Sequence, residues 1–186
     1  MEKRYGQGQE PDLDTRTRLI MRILITGPEC SGKSTLAEQL SQKLQIPWFP
    51  EYARTYLEEY GPQYNQADIL TIGQTHHQLL HSFTPDQPLI LDTYLLNLLI
   101  WSEYKYDQAD AWILEETQKA QFDHILLLSP DLEWQQDGFR ESKGQREELF
   151  DRYLQKLKAF DMSYQIIKGQ GQERLSQALI SVKSSS

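Results

Sequence analysis

Apolar residues in this chain fall into short unbroken runs, separated by longer stretches in which they recur every three or four positions. Met21-Arg22-Ile23-Leu24-Ile25-Thr26, Pro88-Leu89-Ile90-Leu91-Asp92 and His124-Ile125-Leu126-Leu127-Leu128 have strand length and no polar alternation, as strands buried on both faces do. Pro47 to Pro50 and Tyr164 to Ile167 predict two shorter strands. Helical spacing covers Leu36 to Leu44, Glu51 to Tyr60, Gln66 to Phe83, Tyr94 to Tyr104, Asp110 to Ala120, Gln145 to Phe160 and Gln172 to Val182. Gly61-Pro62 and Pro85 supply breaks. Strands alternating with helices predict an α/β domain, a parallel five-stranded sheet with helices on both faces. No repeat or linker divides it, so residues 21–183 read as one domain after a polar, flexible tail over residues 1–20. Met21, directly before the first strand, is a candidate start.

In such a sheet ligands bind beyond the carboxyl ends of the strands, so the polar residues there carry the chemistry. After the first strand comes Gly27-Pro28-Glu29-Cys30-Ser31-Gly32-Lys33-Ser34-Thr35, which fits GxxxxGK[ST], the phosphate-cradling P-loop. A strand, a glycine turn and a helix N-terminus together aim a row of backbone N–H groups at one anion. All nine residues are expected around the phosphates of ATP, with Lys33 reaching the β- and γ-phosphates and the Ser34 hydroxyl on Mg²⁺. Asp92 ends the third strand as a Walker B acid does, and would hold Mg²⁺ with Ser34; the plainer alternative is an N-cap.

Glu51 ends the second strand, where a carboxylate would take the proton of an attacking hydroxyl. Arg54, one helical turn on, would contact phosphate or fix Glu51, unless the two form only a surface ion pair. The fourth strand leads to Asp137-Gly138-Phe139-Arg140-Glu141-Ser142-Lys143-Gly144-Gln145-Arg146. Two arginines and a lysine between glycines suit a lid over triphosphate, with Arg140 ahead of Arg146 and Lys143, although charge runs are commonly solvated loops.

Composition narrows the partners. The net charge of −8 argues against nucleic acid, which needs clustered Lys and Arg. No apolar run approaches a membrane span, and the first twenty residues are no secretory signal. One cysteine excludes an intrachain disulfide and suits a reducing cytosol, so a cytoplasmic location is expected.

The chain resembles the nicotinamide riboside kinase domains of the bacterial NAD regulator NadR and their stand-alone relatives. The likeness lies in Ile25 to Leu36, Glu51-Tyr52-Ala53-Arg54, Leu91-Asp92-Thr93, Tyr104 and Leu132-Glu133-Trp134-Gln135-Gln136-Asp137-Gly138-Phe139-Arg140, spanning roughly Arg22 to Ile180. It implies Mg²⁺-dependent transfer of the ATP γ-phosphate to the 5′-hydroxyl of nicotinamide riboside. The regulator's helix-turn-helix and adenylyltransferase domains are absent, so repression and NAD synthesis proper are not expected. Cys30 stands where similar proteins often have Ser, and Tyr94 where a member of the family has a second Asp.

Tyr52, Tyr56, Trp101 and Tyr104 are candidates for a base pocket, with Tyr56 and Tyr104 preferred beside Glu51, Arg54 and Asp92 as substrate contacts. Aromatics at helical spacing are more often core. His76, His77 and His81 lack an HExxH pattern and are expected to be solvated or to cap a helix. Lys168-Gly169-Gln170-Gly171 either borders adenine or is a plain turn. A kinase for another nucleoside and a regulatory ATPase module remain as alternatives; no Asn-Lys-x-Asp or Leu-Ser-Gly-Gly segment points to a GTPase or an ABC ATPase.

Overall fold

The three long apolar runs form the middle of the sheet. In the computed structural model, which describes residues 21–84, 86–136, 138 and 140–184, β1 (Arg22–Thr26) lies between β3 (Leu89–Asp92) and β4 (His124–Leu128). The short strands β2 (Trp48–Phe49) and β5 (Gln165–Ile167) are its edges. The order is β2-β3-β1-β4-β5 and every pairing is parallel. Ile25 pairs with Asp92 of β3, so that acid ends level with the last residues of β1, just before the P-loop.

Period-two alternation sorts the strand residues onto two faces. Ile23, Ile25, Ile90, Leu126 and Leu128 pack against α1 (Lys33–Leu44) and α7 (Gly171–Lys183). Leu24, Leu89, Leu91, Ile125 and Leu127 face α4 (Leu95–Tyr106) and α6 (Arg146–Ala159). Outside α4 lie α3 (Gln66–His81) and α5 (Ala111–Lys119), joined to it through Ile69, Leu99 and Ile113. Each fully buried Leu or Ile contributes about 2 kcal/mol. By contrast, α2 (Tyr52–Tyr60) has no fully buried residue and is tied to α3 by the Tyr56 hydroxyl, which donates to Asp68 at 2.8 Å.

The structure shows the expected parallel five-stranded sheet with helices on both faces, with small shifts at element ends. The first helix begins at Lys33, inside the phosphate motif, rather than at Leu36. A capping box between Asn65 and Asp68 starts α3. The tail expected over residues 1–20, and Asp137 and Phe139 of the charged segment, lie outside the described residues. No described helix is long and apolar enough to cross a membrane.

His76 departs from the solvated role expected of it. Ile69, Ile72, His76 and Leu80 form one stripe on α3, and that stripe is the buried one. The imidazole lies among Phe49 and Tyr94, with ring centroids at 5.2 and 5.4 Å, and burial holds its pKa down to about 4. The unfolded chain therefore takes up this proton first, and stability present above the ordinary value of 6.5 is lost as pH falls toward 4. That loss should reach about 3 kcal/mol at the low end. Urea midpoints at pH 7 and pH 4.5 are expected to differ less in His76→Phe than in the parent protein. An undiminished drop would remove His76 as its cause.

Candidate active site

Backbone conformation shapes the phosphate loop. Gly27 has φ +137°, and a Cβ there would sit 2.7 Å from the Leu128 carbonyl of β4. Gly32, at φ +79°, is the N-cap of α1, where a Cβ would meet Leu132 at 2.9 Å. No side chain caps α1, and its first turn holds no acid, so the leading N–H groups stay open to an anion. The loop from Glu29 to Thr35 forms one side of a polar cleft, and Glu51, Arg54 and Arg140 form the other. Lys33 lies along the loop, its Nζ donating to the Pro28 carbonyl at 2.9 Å.

Two carboxylates face this lysine. Asp92 is 1% exposed and lies beside the Ser34 hydroxyl. Burial pushes its pKa up, while Lys33, Ser34 and Arg54 oppose the rise. Its Oδ1 has no partner among the described residues. An orphaned, buried carboxylate oxygen beside a P-loop serine fits Mg²⁺, which prefers one or two carboxylates together with phosphate and water. Among the described residues there is no cluster of three or more His, Cys, Asp or Glu that would hold a different ion.

Glu51 precedes α2 in extended conformation, and its side chain makes no capping bond. Burial in the cleft pushes its pKa above the ordinary carboxylate value; Lys33 and Arg54 pull down, whereas Asp92 and Glu29 push further up. A base with a raised pKa is better matched to proton abstraction near neutral pH.

Beyond Glu51 the polar cleft opens into an apolar pocket with about 750 Å³ of empty space, counting the part open to solvent. Glu29, Lys33 and Glu51 belong to both cavities. The far walls are Tyr64, Ile69 and Ile72 at α3, Leu98 and Trp101 of α4, and Tyr153 of α6. Asn97 stands at the junction, accepting from the Thr26 hydroxyl at 2.7 Å and donating to the Gly27 carbonyl at 3.4 Å. Of these, sequence reasoning had singled out only Trp101. Ile69 and Ile72 recur at the spacing of core residues, and only Asn97 carried a signal, as a lone amide within Leu95 to Ile100.

Tyr56 and Tyr104 are absent from the walls of both cavities. Tyr56 bonds Asp68 and packs on Tyr60 at 4.6 Å; Tyr104 packs on Trp101 at 5.7 Å beneath the Arg152 guanidinium. Tyr94, at the position of the second family acid, is buried and bonds His77 at 2.7 Å.

Described residues of the stretch after β4 are fastened to the P-loop. Arg140 lines the polar cleft and donates to the Gln135 carbonyl and, at 3.4 Å, to the Cys30 sulfur. Arg146 donates to the Leu132 carbonyl at 2.8 Å and the Cys30 carbonyl at 3.5 Å, holding backbone to backbone. Sequence reasoning missed Arg174, which is 4% exposed. It pairs with Asp131 and donates to the carbonyls of Ser31, Ser129 and Gly169. The loops after β4 and β5, including the Gly169 turn, are thereby tied to the P-loop.

A family described as an AAA domain matches residues 22–174, which include every element from β1 to the start of α7. The chain belongs to that family. No curated protein sequence gives a significant match. Among solved structures, this AAA domain superimposes on NadR in complex with NR with a TM-score of 0.73 and 20% identity, over 91% of this chain and 52% of that one. It thus spans about half the length of that protein. Deoxyadenosine kinase from M. mycoides follows at 0.66, with 18% identity over 88% of this chain and all of the other. Shikimate kinase from Acinetobacter baumannii in complex with shikimate gives 0.61, with 17% identity over 91% and 96%. At these identities the likeness is one of fold, that of P-loop nucleoside, nucleotide and small-molecule kinases.

Proposed function

We propose that this protein is an ATP-dependent kinase that phosphorylates the 5′-hydroxyl of nicotinamide riboside, giving nicotinamide mononucleotide. The observation that carries this reading is the junction of a polar cleft and an apolar pocket at Lys33 and Glu51. A phosphoryl donor on one side and an alcohol on the other would meet there. Tyr64 and Trp101 offer flat faces for a ring, and Glu29 and Glu51 place negative charge in the same pocket, which favours a cationic pyridinium. The complex of NadR with NR adds support through shared fold.

In the proposed reaction the ribose oxygen attacks the γ-phosphorus, the bond to the β,γ-bridging oxygen breaks, and ADP leaves. Glu51 takes the hydroxyl proton. Lys33 and Arg140 stabilise charge on the transferring group, and the α1 N-terminus holds the phosphates already in place. Ser34 and Asp92 would hold Mg²⁺, which when bound supplies neutralising charge to the β- and γ-phosphates.

The test is ADP release from MgATP, with and without nicotinamide riboside, against a panel of other nucleosides. Strong stimulation by nicotinamide riboside, with the mononucleotide as product, is the expected result. Stimulation by a different nucleoside would keep the kinase and replace its acceptor. A slow rate unmoved by any nucleoside would favour a regulatory ATPase.

A further inference from the structure

Glu141 sits between the two halves of the site without lining either of them. Its backbone N–H donates to Glu29 of the P-loop at 3.1 Å, and the same Glu29 oxygen accepts from the Ser142 N–H and hydroxyl at 2.9 and 2.6 Å. Its side chain points to the other cavity. There the carboxylate accepts from Lys105 Nζ at 2.9 Å, near the Tyr64 hydroxyl, which accepts from the Trp101 indole at 2.5 Å. Lys105 Nζ lies 4.0 Å from the centre of the Tyr64 ring, which closes the cluster. A chain of contacts therefore runs from a P-loop carboxylate through Glu141 and Lys105 to two aromatic walls of the apolar pocket.

Both neighbours of Glu141 would respond to a triphosphate. Arg140 lines the polar cleft and would be drawn toward added negative charge. Glu29 lines it as well, and its carboxylate would be pushed away, loosening its hold on Glu141 and Ser142. The two effects act on consecutive residues, and the Glu141 carboxylate is the link that continues through Lys105 to Tyr64.

We propose that Glu141 is a positioning residue that couples nucleotide in the phosphate cleft to the shape of the acceptor pocket, through Tyr64 and Trp101. The proposal deepens the kinase reading, because its purpose is to set the acceptor wall and Arg140 together. By reciprocity a ligand in the pocket would change nucleotide affinity by the same factor. An enzyme so linked arranges its phosphate contacts when the acceptor is present and discourages transfer to water.

Intrinsic fluorescence tests the link without knowing the acceptor. The chain has four tryptophans, and subtracting the response of Trp101→Phe from that of the parent isolates Trp101. Titration with the Mg²⁺ complex of AMP-PNP is expected to change Trp101 emission. In Glu141→Ala that change should vanish, while calorimetry still shows nucleotide binding within about threefold of the parent, since the Glu141 side chain is 41% exposed and outside the cleft. Glu141→Gln, which can still accept from Lys105, should keep part of the response. No Trp101 response in the parent protein, or an undiminished one in Glu141→Ala, would overturn the proposal. Failure of the kinase reading shows up separately, as ADP release indifferent to every nucleoside.

Discussion

Lys33→Ala is expected to lower phosphoryl transfer on the order of 10³-fold, the scale seen when a main donor to developing charge is removed. The ammonium group has two tasks here. It is the cation of the P-loop, and it also faces Glu51 and Asp92, holding down pKa values that burial drives up. Its removal should therefore leave a second mark. Both carboxylates would hold their protons more strongly, and the acid limb of the residual activity should move to higher pH. Single-turnover transfer from labelled ATP, followed across pH, separates the two effects. Activity within tenfold of the parent would show that Lys33 is not the charge at the transferring group.

Glu51→Gln is expected to reduce turnover by about 10² to 10⁴, as loss of a general base does. Nucleotide binding should persist, because the P-loop backbone is untouched. The pH signature follows from the raised pKa: the parent enzyme should lose activity as pH falls through a value above 4.5, and the variant should lack that limb. Stability carries the opposite sign. Because the folded protein holds this proton more tightly than the unfolded chain does, the stability that Glu51 contributes is present below 4.5 and is lost as pH rises through the folded value. The variant should accordingly have a urea midpoint at pH 7.5 equal to or above the parent's. Unchanged turnover would remove Glu51 from the role of base, and a midpoint well below the parent's would overturn its raised pKa.

Much of the architecture was legible in the sequence for a simple reason. Residues 23–25, 89–91 and 125–128 are apolar without interruption, and only strands covered on both sides need that pattern. The same logic located the P-loop, Glu51 and Asp92, all at strand ends. The apolar pocket was another matter. Its walls come from α2, α3, α4 and α6, and a helix residue facing a cavity looks in sequence like one facing another helix. Trp101 and Tyr104 are three apart on α4, yet Trp101 meets the pocket and Tyr104 lies under Arg152. On α2 it is Leu57, not its neighbour Tyr56, that reaches the pocket. Arg174 gave no signal either, since an arginine in an amphipathic helix reads as surface until its partners are known.

The buried guanidinium of Arg174 has a consequence for how such a site diversifies. A charge that joins the P-loop, Asp131 and the Gly169 turn makes three donor-side loops a single unit, and altering any one leaves the charge without part of its shell. Leu57 and Leu98 in the apolar pocket, by contrast, are only partly buried side chains that can be exchanged one at a time. On the proposed kinase reading, descendants of this domain would change the alcohol they accept by small, separately tolerated steps, while inheriting the triphosphate side whole.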